Sequence, residues 1–449
     1  MAATSVPQLI AYAETVGYAG YRGLATAGAP LAAWGIVTGS PYMNAGVTSL
    51  TALMAKSDLD GEAYVTQHGE DAYVELIAAY SLAVGIASIL LALLGFGGLA
   101  ALVPKQVRSG FKWGCALGVL VSALPNGLLA AGSKELKQTI QMQSETFQTI
   151  VTSLKGSFPG GANVTGIVFL LSHPWNWTIQ TVLLFVGGTA FVMHGKQYLP
   201  KACPPGTEVV LLTAVATLYS MYGNYPGGVV GEIPSMDPDM GIVLLGGHVR
   251  IPIQFLDLQK LISTNVPELL ERFGGSWLKL SITACIFSAV NFLSIVGIAS
   301  SFESEEGIAW SARRELISQG ASCCAAAAVG SAPVSGSLSR SLVSRMTGTT
   351  SQLACIFTAF CWIYLQPYMS IMTPCPKAAL SAVIVSAVLR GVMHPKDLLA
   401  MKGTDSLIAW FTGIATATTS PTNGFGAGLA CYLLITALAK PSKQKTKGD

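Results

Sequence analysis

The chain has 449 residues, of which 51% are hydrophobic and only 11% are charged, and its formal net charge is +3. Soluble domains carry roughly 25% charged residues, so this composition cannot cover a water-exposed surface. The small net charge gives no support for a nucleic-acid partner. Apolar runs recur from end to end, which predicts one large helical membrane domain in a lipid bilayer.

Cysteine and histidine show no pattern of metal chemistry. The nine cysteines include no C-x-x-C pair, and several lie inside apolar runs, where free cysteine acts as a small packing residue. The neighbours Cys323 and Cys324 would point about 100° apart on a helix. The five histidines are far apart in sequence. We predict no metal and no cofactor, and no nucleophile, base and orienter set favours an enzyme.

Apolar runs divide the chain into full-length membrane segments and shorter ones. The shorter segments, 5–15, 46–54 and 336–346, are bordered by Pro, Gly or Ser. Short segments interrupted in corresponding places of two halves are typical of discontinuous helices in transporters built from inverted repeats. The full-length segments are 21–38, 73–95, 111–131, 179–193, 209–221, 280–300, 315–329, 353–368, 378–391, 407–418 and 425–438.

Basic residues predict the orientation of this multi-pass protein through the positive-inside rule. A cytosolic C-terminus, with residues 440–449 as a disordered tail, puts three further basic loops on the same side. These loops contain Lys105, Arg108 and Lys112; Lys196 and Lys201; and Lys396 and Lys402.

The most informative stretch runs from Ser331 to Ser341, where small polar residues lead into a short helix. A helix N-terminus inside a membrane presents unpaired N–H groups and a partial positive charge, and both attract anions. Arg340 adds a full charge. An arginine at membrane depth is costly unless it lines a cavity or meets a partner, so it marks a candidate functional site. The alternative is that Arg340 lies near the cytosolic end and extends its charge to the membrane surface.

A counterpart stands near the start of the chain, where 38–41 (Thr-Gly-Ser-Pro) and 46–49 (Gly-Val-Thr-Ser) again predict an extended entry into a short helix. If the two half-helices belong to opposite repeats, their N-termini face each other, and two dipole ends with one arginine surround an anion. The alternative is a kinked span in which Thr and Ser bond back to the helix.

Short motifs follow one another in order along nearly the whole chain: 7–13 (PQLIAYA), 107–111 (VRSGF), 314–320 (RELISQG), 337–343 (SLSRSLV) and 376–382 (PKAALSA). With these motifs the chain resembles the sulfate permease (SulP) family, also called solute carrier family 26, which includes prestin. The first motif is similar to the P-Q-G-M-A-Y-A signature of that family's first segment, and 337–343 is similar to the start of its tenth segment.

The resemblance implies an all-α polytopic membrane fold of about fourteen segments in two inverted repeats of seven. The short third and tenth segments meet at the midplane, and a core domain moves against a gate domain. We expect a transport domain at 1–439, with the first repeat at about 1–225 and the second at about 276–439.

The resemblance also implies an anion site. Gln8 and Tyr12 would contact the anion from the first segment, and Val47 and Thr48 would offer backbone N–H groups from the third. The tenth segment would contribute Ser337, Ser339 and Arg340. The alternative for Gln8 and Tyr12 is a helix-packing hydrogen bond and an interfacial ring.

The chain departs from the family pattern in ways that affect coupling and regulation. Many members carry an acidic residue after Phe-Leu in the eighth segment, implicated in proton or sodium coupling, whereas this chain has Ser294. Glu14 is a candidate substitute carboxylate, or it pairs with Arg22 at the outer interface. Only six residues precede Pro7, where the family has a further half-helix, and no cytosolic STAS domain is expected.

The leading hypothesis is secondary active transport of a small inorganic anion, with sulfate first by family resemblance, through an elevator-like alternating-access movement. The alternatives are a bicarbonate or chloride exchanger or channel-like conductor, and a non-transporting structural or motor protein. A homodimer in the plasma membrane is the family default.

Overall fold

Helices form most of the regular structure, because an apolar chain in a membrane satisfies its backbone groups most readily as helix. The structure, a computed structural model, describes residues 2–25, 27–97, 103–132, 135–136, 138–139, 168–200, 203, 206–233, 242–244, 249–346, 348–419 and 421–439. The tail that we predict to be disordered, 440–449, lies outside these residues. The position of Ser339 on its helix is described, but its side chain is not.

The first half of the chain begins with short helices and continues into long apolar ones. In α6, Glu70 and Asp71 occupy the first turn, where carboxylates are favoured by the helix dipole, and Gly95, with a φ of 80°, follows the last turn. The elements are α1 (Ala2–Val16), α2 (Gly20–Ala25), α3 (Gly28–Val37), β1 (Ala45–Gly46), α4 (Ser49–Asp58), α5 (Gly61–His68), α6 (Glu70–Leu93), α7 (Lys105–Leu128), α8 (Ile179–His194) and α9 (Thr207–Tyr222).

The second half begins after a connection that contains a short antiparallel hairpin, β2 (Ile242–Leu244) and β3 (Val249–Ile251). Ser276 and Ser311 cap the helices that follow, since their side chains accept from backbone N–H groups in the first turn. The remaining elements are α10 (Leu258–Lys260), a π-helical turn (Leu261–Asn265), α11 (Val266–Arg272), α12 (Trp277–Glu306), α13 (Ala312–Ala328), β4 (Ser335–Gly336), α14 (Leu338–Met346), α15 (Leu353–Leu365), α16 (Lys377–Met393), α17 (Lys396–Leu399), α18 (Gly403–Thr418) and α19 (Pro421–Ala439).

Helix packing divides these elements into two bundles. In the core bundle, which we define as α1–α6 and α12–α15, α13 packs on α6 and α3, and α15 packs on α3. In the flanking bundle, which we define as α7–α9, α16, α18 and α19, α7 packs on α16 and α18. The two bundles meet where α1 lies against α16 and α9, and where α4 lies against α7 and α19.

Small residues let the helices of the core bundle approach closely. A Cβ at Gly320 of α13 would lie 2.8 Å from the carbonyl oxygen of Gly85 on α6, so a larger residue at position 320 does not fit. Beside this contact Gln319 donates from Nε2 to Ser88 Oγ and to the carbonyl of Ser288, at 3.1 Å each. The core bundle is therefore held by close backbone contact and by buried polar bonds between three helices.

Within the described residues, four helical stretches are long and apolar enough to cross a membrane: Glu70–Leu93, Trp277–Ala299, Leu353–Met372 and Lys377–Leu399. The segments predicted to be short are short helices, since 5–15, 46–54 and 336–346 fall on α1, α4 and α14. The prediction of a single span at 21–38 was wrong. That stretch is divided into α2 and α3, and Pro30 lies in the first turn of α3, where its missing N–H costs nothing.

Candidate functional site

A two-residue β-ladder lies where the two interrupted segments meet. β1 pairs antiparallel with β4, with Ala45 opposite Gly336 and Gly46 opposite Ser335, and all four residues are buried. Each strand is followed within three residues by a short helix, α4 or α14. Because the strands run in opposite directions, the helices leave the ladder in opposite directions and their N-termini face each other. This arrangement confirms the prediction that the half-helices meet.

Further bonds fix the backbone around the ladder. The N–H of Ser337 donates to the carbonyl of Asn44 at 2.8 Å, and the N–H of Asn44 donates to Ser341 Oγ at 3.0 Å. From α12, the fully buried Asn291 donates from Nδ2 to the carbonyl of Val334 at 2.9 Å. Sequence reasoning did not select Asn44, Ser341 or Asn291, because their role depends on contacts between distant segments.

Arg340 lies inside the protein beside the ladder, with 4% of its surface exposed. Its Nη2 donates to the carbonyl of Val47 at 2.9 Å, and its buried Nε has no hydrogen-bond partner. A Cβ at Gly46 would collide with the guanidinium, so glycine is required for this close approach. Among the described residues, no carboxylate lies within ion-pair distance of Arg340. The guanidinium therefore points inward and brings an uncompensated positive charge to the ladder.

The N-terminus of α4 is held by a capping box. The hydroxyl of Thr48 accepts from the N–H of Thr51 at 3.3 Å, and the N–H of Thr48 donates to Thr51 Oγ1 at 3.0 Å. The Thr48 N–H, expected to contact an anion, is therefore already bonded. The N–H groups of Ser49 and Leu50 have no intrahelical acceptor in helical geometry, and they are the next donors at this end. The carbonyl oxygen of Val47 accepts a hydrogen bond from Arg340 Nη2.

Helix α1 adds side chains to the same place. Tyr12 is buried, and it lies close enough to Ser49 and Arg340 to interact with both side chains. Gln8 lies one helical turn before Tyr12, and its buried Oε1 has no partner. Ser337 is buried at the ladder, and Ser339 lies in the first turn of α14. The structure thus brings Tyr12, Val47, Thr48, Ser337 and Arg340 together, with Gln8 on the adjoining turn.

The two candidate coupling positions have different surroundings. Ser294 lies on α12 one turn after Asn291 and is half-buried. Glu14 follows Tyr12 by two residues, about 200° around the helix, so it faces away from Ser49. It does not pair with Arg22, as one alternative supposed. Arg22 pairs with Glu70 at 2.8 Å and with Asp71.

Glu315 of α13 is a buried carboxylate that sequence reasoning did not select. It binds the backbone and side chain of the segment that precedes β1. Its Oε2 accepts from Thr38 Oγ1 at 2.8 Å and its Oε1 accepts from the N–H of Gly39 at 2.8 Å, while its side chain is fully buried. Gln352 Nε2 donates to the carbonyl of Gly39 at 3.2 Å from the other side. The signal available in the sequence was a carboxylate at the start of an otherwise apolar segment.

Metal binding has no support in the part of the chain that the structure describes, where no group of three or more His, Cys, Asp and Glu residues is arranged to hold an ion. The site is built instead from helix ends, hydroxyl groups and one guanidinium, which is the chemistry of an anion site.

Comparison with known proteins agrees with this architecture. Residues 1–412 match the sequence profile of the sulfate permease family. The chain belongs to this family. It is 27% identical over 392 residues to a probable sulfate transporter of Mycobacterium tuberculosis, covering 87% of this chain and 60% of that protein. The chain therefore spans less than two thirds of the length of this relative.

Solved structures of sulfate permease family relatives share the fold. The murine solute carrier 26 family member A9 anion transporter, solved in the inward-facing state, superposes with a TM-score of 0.73 at 17% identity, covering 97% of this chain and 67% of that one. The transmembrane domain of the cyanobacterial bicarbonate transporter BicA superposes with a TM-score of 0.68 at 14% identity, covering 96% of this chain and 94% of that one. The fold is thus the all-α, two-repeat transporter fold.

Proposed function

We propose that the chain moves a small inorganic anion across a membrane by alternating access, with sulfate as the first substrate. The observation that carries the proposal is the buried ladder, which holds two helix N-termini beside the Arg340 guanidinium. An anion there gains hydrogen bonds from N–H groups together with the charge of the arginine. Gln8, Tyr12, Val47, Thr48, Ser337 and Ser339 complete the proposed site.

The charge at the ladder favours a divalent anion. Arg340 supplies one positive charge, and each helix N-terminus supplies roughly half a charge, so the site presents about two positive charges. Sulfate would be neutralised there, whereas chloride or bicarbonate would leave an excess of positive charge. The name of the mycobacterial relative, a probable sulfate transporter, supports the same choice.

A bicarbonate or chloride exchanger, or a channel-like conductor, is the second candidate. Ser294 carries no charge at the position where the family resemblance implies a carboxylate implicated in proton or sodium coupling, which favours exchange or uncoupled conduction over symport. Similarity to a bicarbonate transporter supports bicarbonate in particular.

The proposed movement carries the core bundle, with the anion, past the flanking bundle. We assign the first repeat to about 1–225 and the second to about 276–439. The C-terminus lies in the cytosol, and the protein lies in the plasma membrane as a homodimer. In this orientation the end of α1 and the start of α16 face outward.

Uptake of radiolabelled sulfate into proteoliposomes tests the proposal. Competition by bicarbonate, chloride and oxalate ranks the substrates, and imposed proton or sodium gradients identify coupling. We expect uptake that sulfate itself inhibits most strongly and that neither gradient accelerates. Stronger inhibition by bicarbonate or chloride would select the second candidate. No flux of any of these anions from correctly folded protein would leave only a structural or motor role.

A further inference from the structure

A partly buried ion pair joins the two bundles. Lys377 Nζ lies 2.8 Å from Glu14 Oε1, and the two side chains are 31% and 17% exposed. Glu14 belongs to α1 in the core bundle, and Lys377 is the first residue of α16 in the flanking bundle. Asn126 of α7, also in the flanking bundle, donates to Glu14 Oε2 at 3.4 Å. One carboxylate of the core bundle therefore contacts two flanking helices.

Both charges lie at the unfavourable end of their own helix. Glu14 is in the last turn of α1, where the helix dipole is negative, and Lys377 is in the first turn of α16, where it is positive. Each charge is opposed by its helix and stabilised by its partner. The Arg22–Glu70 pair, which lies wholly within the core bundle, has the opposite arrangement. Arg22 is in the last turn of α2 and Glu70 in the first turn of α6.

The lysine is fixed to the flanking side, while the glutamate shares a helix with the anion site. The N–H of Lys377 donates to the carbonyl of Gly228 at 2.9 Å, and the N–H of Val230 donates to the carbonyl of Cys375 at 2.9 Å. Helix α1 packs on α4 and carries Tyr12, which lies close to Ser49 and Arg340. A displacement of α1 past α16 by more than the reach of the two side chains therefore separates Glu14 from Lys377.

We propose that Glu14 and Lys377 hold the bundles together on this side and must separate before the anion site opens between α1 and α16. The pair thus controls one step of the transport cycle. This inference rests on the proposed function, because it assigns the pair to the same movement of the core bundle. The helix dipoles add to its effect, since separation leaves each charge facing the like-signed end of its own helix.

Cys375 is a native reporter of this opening. Its thiol is fully buried two residues before Lys377, and it is close enough to Glu14 and Thr217 to interact with both side chains. A buried thiol reacts slowly, and opening between α1 and α16 exposes it. Purified protein in detergent is treated with a maleimide, and mass spectrometry follows modification of the Cys375 peptide over time. We expect Glu14→Gln and Lys377→Met each to accelerate it about fivefold.

Two combined variants make the test specific. Glu14→Lys with Lys377→Glu restores the pair and places each charge at the favourable end of its helix, so Cys375 is expected to react more slowly than in the wild type. Glu14→Gln with Lys377→Met is expected to react no faster than either single variant, because both remove the same interaction. Glu70→Gln, which breaks the pair inside the core bundle, is the matched control and leaves Cys375 labelling unchanged.

Equal labelling rates in the wild type, both single variants and the charge-reversed variant would overturn the inference. So would acceleration by Glu70→Gln as large as that by Glu14→Gln. Sulfate uptake by the same preparations separates this from the proposed function. Charge-dependent labelling without flux of any anion rejects transport but retains the pair as a contact that holds the bundles together. Uptake with invariant labelling rejects the pair and retains transport.

Discussion

The two half-helices that meet at the ladder each follow one of its strands, but their first turns carry different functional groups. At the start of α4, both the hydroxyl and the N–H of Thr48 are engaged by Thr51. At the start of α14, Arg340 contributes a buried charge whose Nε is unpartnered. One half therefore supplies a pre-formed helix end and the other supplies the charge. Inverted repeats share a backbone arrangement, so one repeat can supply the helix end and the other the charged side chain.

The segments that lead into the ladder differ in the opposite sense. The segment before β1 is held by the carboxylate of Glu315 and the amide of Gln352. The segment before β4 is held by neutral groups, since the carbonyl of Val334 accepts from Asn291 Nδ2 and from Cys323 Sγ. The clamp, which we define as Glu315 and Gln352, acts on the segment before β1, whereas Arg340 lies at the start of α14. We therefore predict that stability and anion affinity respond to different substitutions.

Loss of Arg340 is expected to have the largest effect. Arg340→Ala removes the full charge and the bond to Val47, and we expect it to reduce sulfate binding by about 2–5 kcal/mol, as for truncation of one partner of a buried charged contact. Isothermal titration of purified protein with sulfate measures this loss. The variant should still insert into membranes, because an uncompensated buried cation is itself costly.

Arg340→Lys and Arg345→Gln serve as controls. Lysine keeps the charge without the planar donor set, so binding should fall by less. Arg345 lies on the same helix one turn later, with its guanidinium 5.7 Å from the centre of the Phe302 ring, and its loss should leave affinity near the wild-type value. Unchanged sulfate affinity in Arg340→Ala would remove this arginine from the site.

Glu315→Gln tests the clamp and is expected to act on stability first. Glutamine can keep its amide oxygen on the Gly39 N–H and turn its NH₂ toward the Thr38 hydroxyl, which can accept, so the loss is that of two buried hydrogen bonds to a charged acceptor. The expected cost is about 1–3 kcal/mol of unfolding free energy. Unfolding in a sodium dodecyl sulfate titration measures it, with Thr38→Ser as a control that keeps the hydroxyl. A variant of wild-type stability would show that the clamp is dispensable.

Residue type and spacing predicted much of the fold, but they predicted few of the hydrogen bonds and ion pairs between distant segments. The Gly, Pro and Ser borders of 46–54 and 336–346 predicted half-helices, because these residues interrupt helices wherever they occur. The partners of Glu14 and Glu315 were not predictable in this way. Lys377 and Thr38 lie far from them in sequence, and only the packing of α1 on α16 and of α13 on α3 brings them together. Local rules also could not tell that the Thr48 N–H is bonded by Thr51.

Thr51→Val gives the smallest expected effect, and it tests most directly whether the α4 cap contributes to stability while Arg340 contributes to anion affinity. Valine has the shape of threonine without the hydroxyl, so the capping box loses the bond from the Thr48 N–H and keeps the bond from the N–H of residue 51 to Thr48 Oγ1, at a cost of about 1 kcal/mol of stability. The same change frees the Thr48 N–H to face the ladder. Sulfate affinity should therefore stay level or rise, in contrast to its fall in Arg340→Ala. Thr51→Ser retains the hydroxyl and should behave as the wild type in both measurements. A loss of affinity in Thr51→Val comparable to that in Arg340→Ala would make the α4 cap part of the anion contact.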